Sequence, residues 1–335
     1  MGALSTLNPT LMDVARRTDP NGKIATIVEL LNETNGILED MTAIECNSGS
    51  THVTTVRTGI PNGTWRKLYG FVQPTKSTSK QVTDGVGMLE ARSQIDNKLY
   101  ELNGNSKDWR MSEEHPFMEG LNQDISETLF YGDTDTNPER FMGLAPRFNS
   151  YQTTDKTKSS FNVIHGGGSD ATDNTSIWFV VWGANTMHIL YPKGSKAGLT
   201  MEDLGRQEIS DSAGGRMTVV ESKWSWDIGL TVRNWKSIVR ICNIDVSALV
   251  ANSSAADLLS LMTKAYHKQK GRNLGRAAIY CNATVLTALD LQVQAKTNLM
   301  LSYADVEGKK VLTYRGIPIR ECEQILDTEA VVPAA

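Results

Sequence analysis

The residues best placed to do chemistry are a histidine beside a glycine triplet, His165-Gly166-Gly167-Gly168, four further histidines and four cysteines. A histidine and glycines at a strand end can supply the N–H groups of an oxyanion hole, which is half of an acyl hydrolase. The other half is a serine on a Gly-x-Ser-x-Gly elbow, and that pentapeptide occurs nowhere in the chain. A flexible glycine loop is the simpler reading, with a cytosolic hydrolase as a distant alternative. Gly194-Ser-Lys-Ala-Gly198 lacks the terminal Gly-Lys-Ser/Thr of a phosphate loop, and Gly85-Val-Gly87 runs into Met-Leu-Glu, so the dinucleotide fingerprint fails as well. His52, His115, His165, His188 and His267 never stand three or four residues apart, the spacing that puts two ligands on one metal. Cys46, Cys242, Cys281 and Cys322 are scattered among apolar residues, as small core hydrophobes in a reducing compartment would be. No catalytic residue, cofactor or metal is expected.

The elements that would position any site are mixed. The 335 residues can bury a sizeable core, and the longest clean apolar run, Ile177 to Trp182, is far too short to span a bilayer. No apolar stretch follows a basic head in the first 17 residues, so no secretory signal is expected. Leu11 to Arg17, then Ile24, Ile27, Val28 and Leu31, then Ile37, Leu38 and Met41 read as short helical pieces broken at Asp19-Pro20-Asn21-Gly22 and Asn35-Gly36. Thr51 to Thr58 and Thr64 to Val72 read as the strands of a hairpin closed by Gly59-Ile60-Pro61-Asn62-Gly63, with a polar tail from Gln73 to Thr83. Ser112 is a candidate cap for a helix in which Phe117, Leu121, Ile125 and Leu129 recur at fours, Gly132 ending it. Residues 147–175 read as a long surface loop; Ser176–Trp182, Thr186–Tyr191, Arg216–Val220, Trp224–Val246, Ala277–Cys281 and Val311–Ile319 read as strands. Ser254 with Asp257 resembles a capping box for a helix through Tyr266 that Gly271 stops, and Asn282 caps another through Val293. Without a regular strand–helix alternation, the fold class is α+β.

Charge is segregated although its sum, 34 basic against 38 acidic residues, is nearly balanced. The first 45 residues hold only Arg16, Arg17 and Lys23 against seven acids, so no basic arm neutralises nucleic acid. Residues 46–83 contain Arg57, Arg66, Lys67, Lys76 and Lys80 and no acid, whereas residues 84–139 contain 13 acids against four bases. Glu113 and Glu114 open the helix of that acidic block, and Glu119, Asp124 and Glu127 mark its outward face. Most tryptophans sit in β segments beside Val, Ile and Phe and read as core, but Trp65 shares a strand face of the basic hairpin with Tyr69 and Phe71. A two-stranded arm has no core in which to bury three aromatics. That face needs a surface from elsewhere: its own chain, or the acidic block of a neighbour in a contact that propagates from copy to copy.

Six long segments carry a resemblance through nearly the whole chain. They are NPTLMDVARRTDPNGKIATIVELLNETNGILEDM from Asn8, TTVRTGIPNGTWRKLYGFVQPTKSTSKQV from Thr54, FMEGLNQDISETLFYGDTDTNPERFMGLAPRFNS from Phe117, NTSIWFVVWGANTMHILYPKGSKAGLTMEDLG from Asn174, RNLGRAAIYCN from Arg272 and YRGIPIRECEQIL from Tyr314. The chain resembles the major capsid proteins of tailed bacteriophages, nearest to the subgroup typified by a short-tailed Bordetella phage. The resemblance implies the HK-97-like capsid fold, with an N-terminal arm at 1–45 and an E-loop hairpin at 46–85. A peripheral domain with a spine helix (Glu114 to Tyr131) would span 86–150, mainly axial-domain segments 151–275, and a return to the core 276–335. In that fold the E-loop reaches over an adjacent subunit, so Arg57, Trp65, Arg66, Lys67, Tyr69, Phe71, Lys76 and Lys80 would meet the acidic helix face of Glu113, Glu114, Glu119, Asp124 and Glu127 on a neighbour. The implied function is self-assembly into hexamers and pentamers of an icosahedral shell around double-stranded DNA, put together in the bacterial host's cytoplasm. The implied partners are the chain itself, a portal, a scaffolding or cementing protein and the packaged DNA, with no membrane. An encapsulin-like compartment of the same fold is the nearer alternative. The Lys and Asn pair that cross-links some relatives has no matching motif here.

Overall fold

The computed structural model describes residues 35–102, 104, 107–210, 214–251, 257–295, 301–306 and 309–335, the side chains of 292–295, 301–306 and 309–311 excepted. The expected helical pieces at 11–17 and 24–31, and Ser254, lie outside the described residues. In chain order the elements are α1 (Ile37–Asp40), β1 (Ala43–Glu45), β2 (Thr51–Gly59), β3 (Thr78–Asp96), α2 (Asn97–Leu102), α3 (Lys107–Tyr131) and α4 (Leu144–Arg147). There follow β4 (Val163–His165), β5 (Asn174–Trp182), β6 (Met187–Tyr191), β7 (Thr200–Ser210), β8 (Arg216–Val232), β9 (Val239–Asp245) and α5 (Val246–Val250). The chain ends with α6 (Leu258–Lys268), β10 (Arg276–Cys281), α7 (Ala283–Ala295), β11 (Leu301–Val306), β12 (Lys309–Tyr314) and β13 (Ile317–Glu321).

The apolar run that reads as a strand is β5, the centre of the core. All nine of its residues are buried. Trp178, Val180 and Trp182 face Ile125, Leu129 and Phe130 of α3, whereas Ile177 and Phe179 face Leu258, Met262 and Val285 of α6 and α7. Its neighbour β10 alternates likewise, with Ala278 and Tyr280 on the α3 side and Ile279 and Cys281 on the other. A strand covered on both faces carries no polar alternation, which is why it reads as continuous hydrophobicity. The sheet is mixed: β5 runs antiparallel to β9 and β10, and β10 runs parallel to β13.

Four expectations are corrected. The second strand of the hairpin is not Thr64–Val72 but β3, whose first residues are the polar tail; Val53 pairs with Thr83 and Gly59 with Thr78. Pro61 and Pro74 lack the N–H a ladder needs, and a turn from Lys67 to Gly70, with Tyr69 at φ +64°, interrupts the segment between them. The three aromatics therefore share a loop at 60–77 and not a strand face. The helix begins at Lys107 instead of after Ser112, because Trp109 fills a small cluster with Ile95 and Leu99 and Arg110 bonds Asp203 and Ser222 across the chain. Those partners outweigh the breaking tendency of Pro116, which lies inside the helix. Polar residues 200–210 form an edge strand on β8, with a register shift between Asp203 and Gly205; β8 itself runs on through Ser222, and the expected strand Trp224–Val246 is broken at Trp235–Ser237. Residues 147–175 are not all loop, since β4 pairs with β9. Other local signals hold. Asn282 caps α7 by accepting from Val285 N at 3.0 Å, and Asp257 caps α6. Gly132 follows α3 where a Cβ would stand 2.5 Å from Phe141 O and 2.6 Å from Thr128 O, which only glycine permits.

Two polar networks lie inside the core. Arg240 and Glu329, both under 5% exposed, pair at 2.9 Å; Glu329 also accepts from Tyr131 at 2.6 Å and from Ser176, tying the C-terminal segment to α3 and β5. The second lies where the hairpin joins the body. His52 faces Asp84 across β2 and β3, and His188 faces Thr231 across β6 and β8. Asp84 accepts from Thr231 and, at 2.8 Å, from Arg147, and the curl of the sheet brings the His52 and His188 rings to 5.9 Å, edge to face. Burial pushes His188 down to about 4, and burial with the nearby Arg233 charge also lowers His52.

Two outcomes follow for the unassembled subunit. Glu329→Ala strands a buried guanidinium and should cost about 3–5 kcal/mol in denaturant unfolding, while Glu329→Gln should cost less. Both histidines are neutral when folded and charge on unfolding below pH 6.5, so stability should be level above that pH. It should fall by about 3 kcal/mol as pH drops from 6.5 to 4 through His188 alone. His188→Gln should flatten that fall in denaturant midpoints measured across the window.

Candidate functional site

The hairpin leaves the body as a two-stranded arm, rooted at the His52–Asp84 row and ending in the loop 60–77. Arg57, Trp65, Arg66, Lys67, Tyr69, Phe71, Lys76 and Lys80 are all exposed. Trp65 is 102% exposed, Phe71 98% and Tyr69 92%, with Ile60 and Leu68 at 82% beside them. Among the described residues none of the arm's five cations forms an ion pair. The tip thus presents apolar side chains on a positive stem, and none of the described residues covers it. Fully burying a large apolar side chain contributes roughly 1.5–3 kcal/mol, so several on one tip are a strong drive for docking.

The five acids of the helix divide. Glu114 is 1% exposed and turns inward to Arg110, at 2.8 Å, and Ser222, so it is not part of an outward face. Asp124 is exposed; partial burial and the neighbouring Glu127 raise its pKa, and Arg140 opposes them. Glu127 itself pairs with Arg140 at 3.3 Å. Glu113 and Glu119 are half-buried. Between α3 and β3 runs a groove of about 300 Å³ lined by Leu89, Ala91, Pro116, Phe117, Gly120 and Leu121, with Glu90 and Asp124 on its wall. A Cβ added to Gly120 would meet nothing within 4 Å. A second hollow of about 100 Å³ continues the groove past Asp124 to Phe141 and Ile228. Sequence reading missed this groove because one wall comes from β3. Its one local sign is Pro116, Gly120 and Asp124 at four-residue spacing, a small residue on the face that carries the acids.

The glycine triplet does no oxyanion chemistry. Gly166 N–H donates to Cys242 O and Gly168 N–H to Asn243 O, each at 2.7 Å, so both donors are consumed. His165 stacks on Tyr151 at 4.8 Å and sits 3.2 Å from the Asn243 amide. All four cysteines are buried, and burial pushes the Cys242 thiol up to about 12, far from a working nucleophile. Among the described residues no three metal-ligating side chains converge, and no helix is long and apolar enough to cross a membrane.

The chain is similar to known proteins over nearly its whole length. The family model of the major capsid protein GP7 matches residues 19–333. A chain of the cryo-EM structure of bacteriophage epsilon15 is 36% identical, with 100% of each chain covered and a TM-score of 0.79. The bacteriophage JBD30 capsid is 10% identical, covering 88% of this chain and 92% of that one at a TM-score of 0.50, a likeness of fold alone. None of the curated protein sequences matches. The family match selects the capsid reading over the hydrolase and encapsulin-like ones, and the fold is HK-97-like. The chain belongs to the GP7 family of major capsid proteins and is a structural protein of the virion shell, not an enzyme.

Proposed function

We propose that the shell is held together by the arm tip of one subunit seated in the α3–β3 groove of the next. The observation that carries this reading is the pairing of an uncovered apolar tip on a positive stem with an apolar groove walled by carboxylates. The contact joins different patches on two copies, so it closes into rings and propagates between them. Hexamers and pentamers of an icosahedral shell around double-stranded DNA are the assemblies it would build. The arm's cations guide approach and set register, each exposed pair contributing roughly 0–1 kcal/mol, while Trp65, Leu68, Tyr69 and Phe71 supply the burial. Glu113, Glu119, Asp124 and Glu127 remain as the acidic partners; Glu114 does not.

On this reading β2, the loop and the first half of β3 are the E-loop, and α3 is the spine helix of a peripheral domain. The segments of 151–275 supply mainly the axial domain, and 276–335, with β10 and α7, return to the core. A portal, a scaffolding or cementing protein and the packaged DNA complete the set of partners, and assembly takes place in the host cytoplasm. The long segments quoted above support kinship with the short-tailed Bordetella phage subgroup.

Two variants test the contact with opposite signatures. Arg66→Glu with Lys67→Glu should leave the subunit folded by circular dichroism and abolish fast-sedimenting particles; unchanged assembly would place the contact elsewhere. Gly120→Leu should raise subunit stability by up to about 1 kcal/mol, because glycine is a poor helix former. It should nonetheless block assembly by filling the groove, and normal shells from this variant would remove the groove from the interface.

A further inference from the structure

The arm meets the body at a buried pair of histidines. His52 on β2 is 7% exposed and His188 on β6 is 0% exposed, and their rings lie edge to face at 5.9 Å. Asp84 on β3, Thr231 on β8, Arg147 on α4 and Arg233 just past β8 complete the polar surroundings. Among the described residues Asp84 is the one carboxylate that acts on either ring. Each of its oxygens already accepts a bond, one from Arg147 and the other from Thr231. Glu45, on the neighbouring strand β1, accepts from Gly194 N–H at 2.7 Å instead. His52 Nδ1 finds no hydrogen-bond partner among the described residues. The Gly183 backbone and Asp84 favour a charged His188, whereas burial, His52 and Arg233 oppose it and prevail.

A proton on either ring becomes a buried cation beside a second imidazole and an arginine, with no uncommitted carboxylate to meet it. Relief requires that one ring reach water. Strand β6 is hemmed in by β1, β5 and β8, whereas β2 is the outermost strand on its side of the sheet. His52 is therefore the ring that can leave. Asp84 stays fastened by Arg147 and Thr231, and beside it β3 changes partner: Gly85 pairs with Thr51 of β2 and Val86 with Gly229 of β8. Gly85 and Gly87 bracket that change, and glycine bends there at little steric cost. We propose that the two histidines form a proton-operated latch on the arm. Neutral rings seat β2 against β6; proton uptake lets the root of β2 lift away while β3 pivots at Gly85. Both rings hold protons weakly when seated and regain their ordinary affinity when released, so acid favours the released root. The latch gives the arm of the proposed docking a control over its angle, and it rests on that reading for this consequence alone.

The test is hydrogen exchange on the full-length unassembled subunit, read by mass spectrometry and corrected for the intrinsic effect of pH. Between pH 7.5 and pH 5 the amides of β2 should lose about 30-fold in protection, the loss set by His188 regaining its ordinary pKa on release. That loss should be insensitive to low concentrations of urea, the mark of a local opening. Amides of β9 and β10 in the core should stay far better protected and should respond strongly to urea, because they open only by global unfolding. Protection of β2 that ignores pH would overturn the latch. So would exchange of β2 that matches β9 and β10 in level and urea dependence, since the histidines would then report global unfolding alone. His188→Gln, if folded by circular dichroism, should remove most of the pH dependence of β2, and full retention of it would contradict the proposal. Should that variant not fold, the urea comparison on the wild type decides. Sedimentation of Arg66→Glu with Lys67→Glu tests the docking by itself, so either idea can fail alone.

Discussion

An antiparallel pair of strands cannot bury its own tip, and the architecture turns on that constraint. Beyond the row of His52 and Asp84 the arm has two strands and no second layer, so Ile60, Trp65, Leu68, Tyr69 and Phe71 meet water in the isolated subunit. A monomeric protein rarely keeps such a patch. The same chain carries an apolar groove, and in the contact we propose the cost of exposure in one copy becomes a drive for assembly between copies. In that proposal charge sets the register, because the arm carries five cations and no acid and Asp124 stands exposed on the groove wall, where Glu90 is already paired with Lys223.

The rest of the fold ties the arm root and the groove to one core. The doubly covered strand β5 anchors α3 through Trp178 and Phe130, and the Arg240–Glu329 pair locks the C-terminal segment against the same helix. Arg110 ties the start of α3 to β7 and β8, and the two-histidine row ties the arm root to β6 and β8. The root of the arm and the groove are thus tied to the same packed core.

How far the sequence could be read depended on where each element finds its partners. Strand β5, the apolar stripe of α3 and the Asn282 cap were legible because their signals are local. The return strand β3 and the edge strand β7 were not, since both are polar and become strands only by pairing with β2 and β8. The early start of α3 depends on Trp109 and Arg110 meeting residues up to 112 positions away, and Glu114 turns inward for the same reason. Charge segregation along the chain did identify the arm and the acidic helix. The groove between α3 and β3 is a tertiary object with only a faint trace in sequence.

The central claim concerns one contact between copies, and a cross-link tests it directly. Subunits carrying Leu68→Cys together with Gly120→Cys would be oxidised before and after assembly and resolved by denaturing electrophoresis. The four native cysteines are all buried, so the pair should dominate the chemistry. Seating of the tip in a neighbour's groove predicts a ladder of covalent oligomers that appears only after assembly and reverts on reduction. Cross-linked monomer would mean that the arm folds back on its own chain, and unlinked protein in well-formed shells would mean that the tip docks elsewhere.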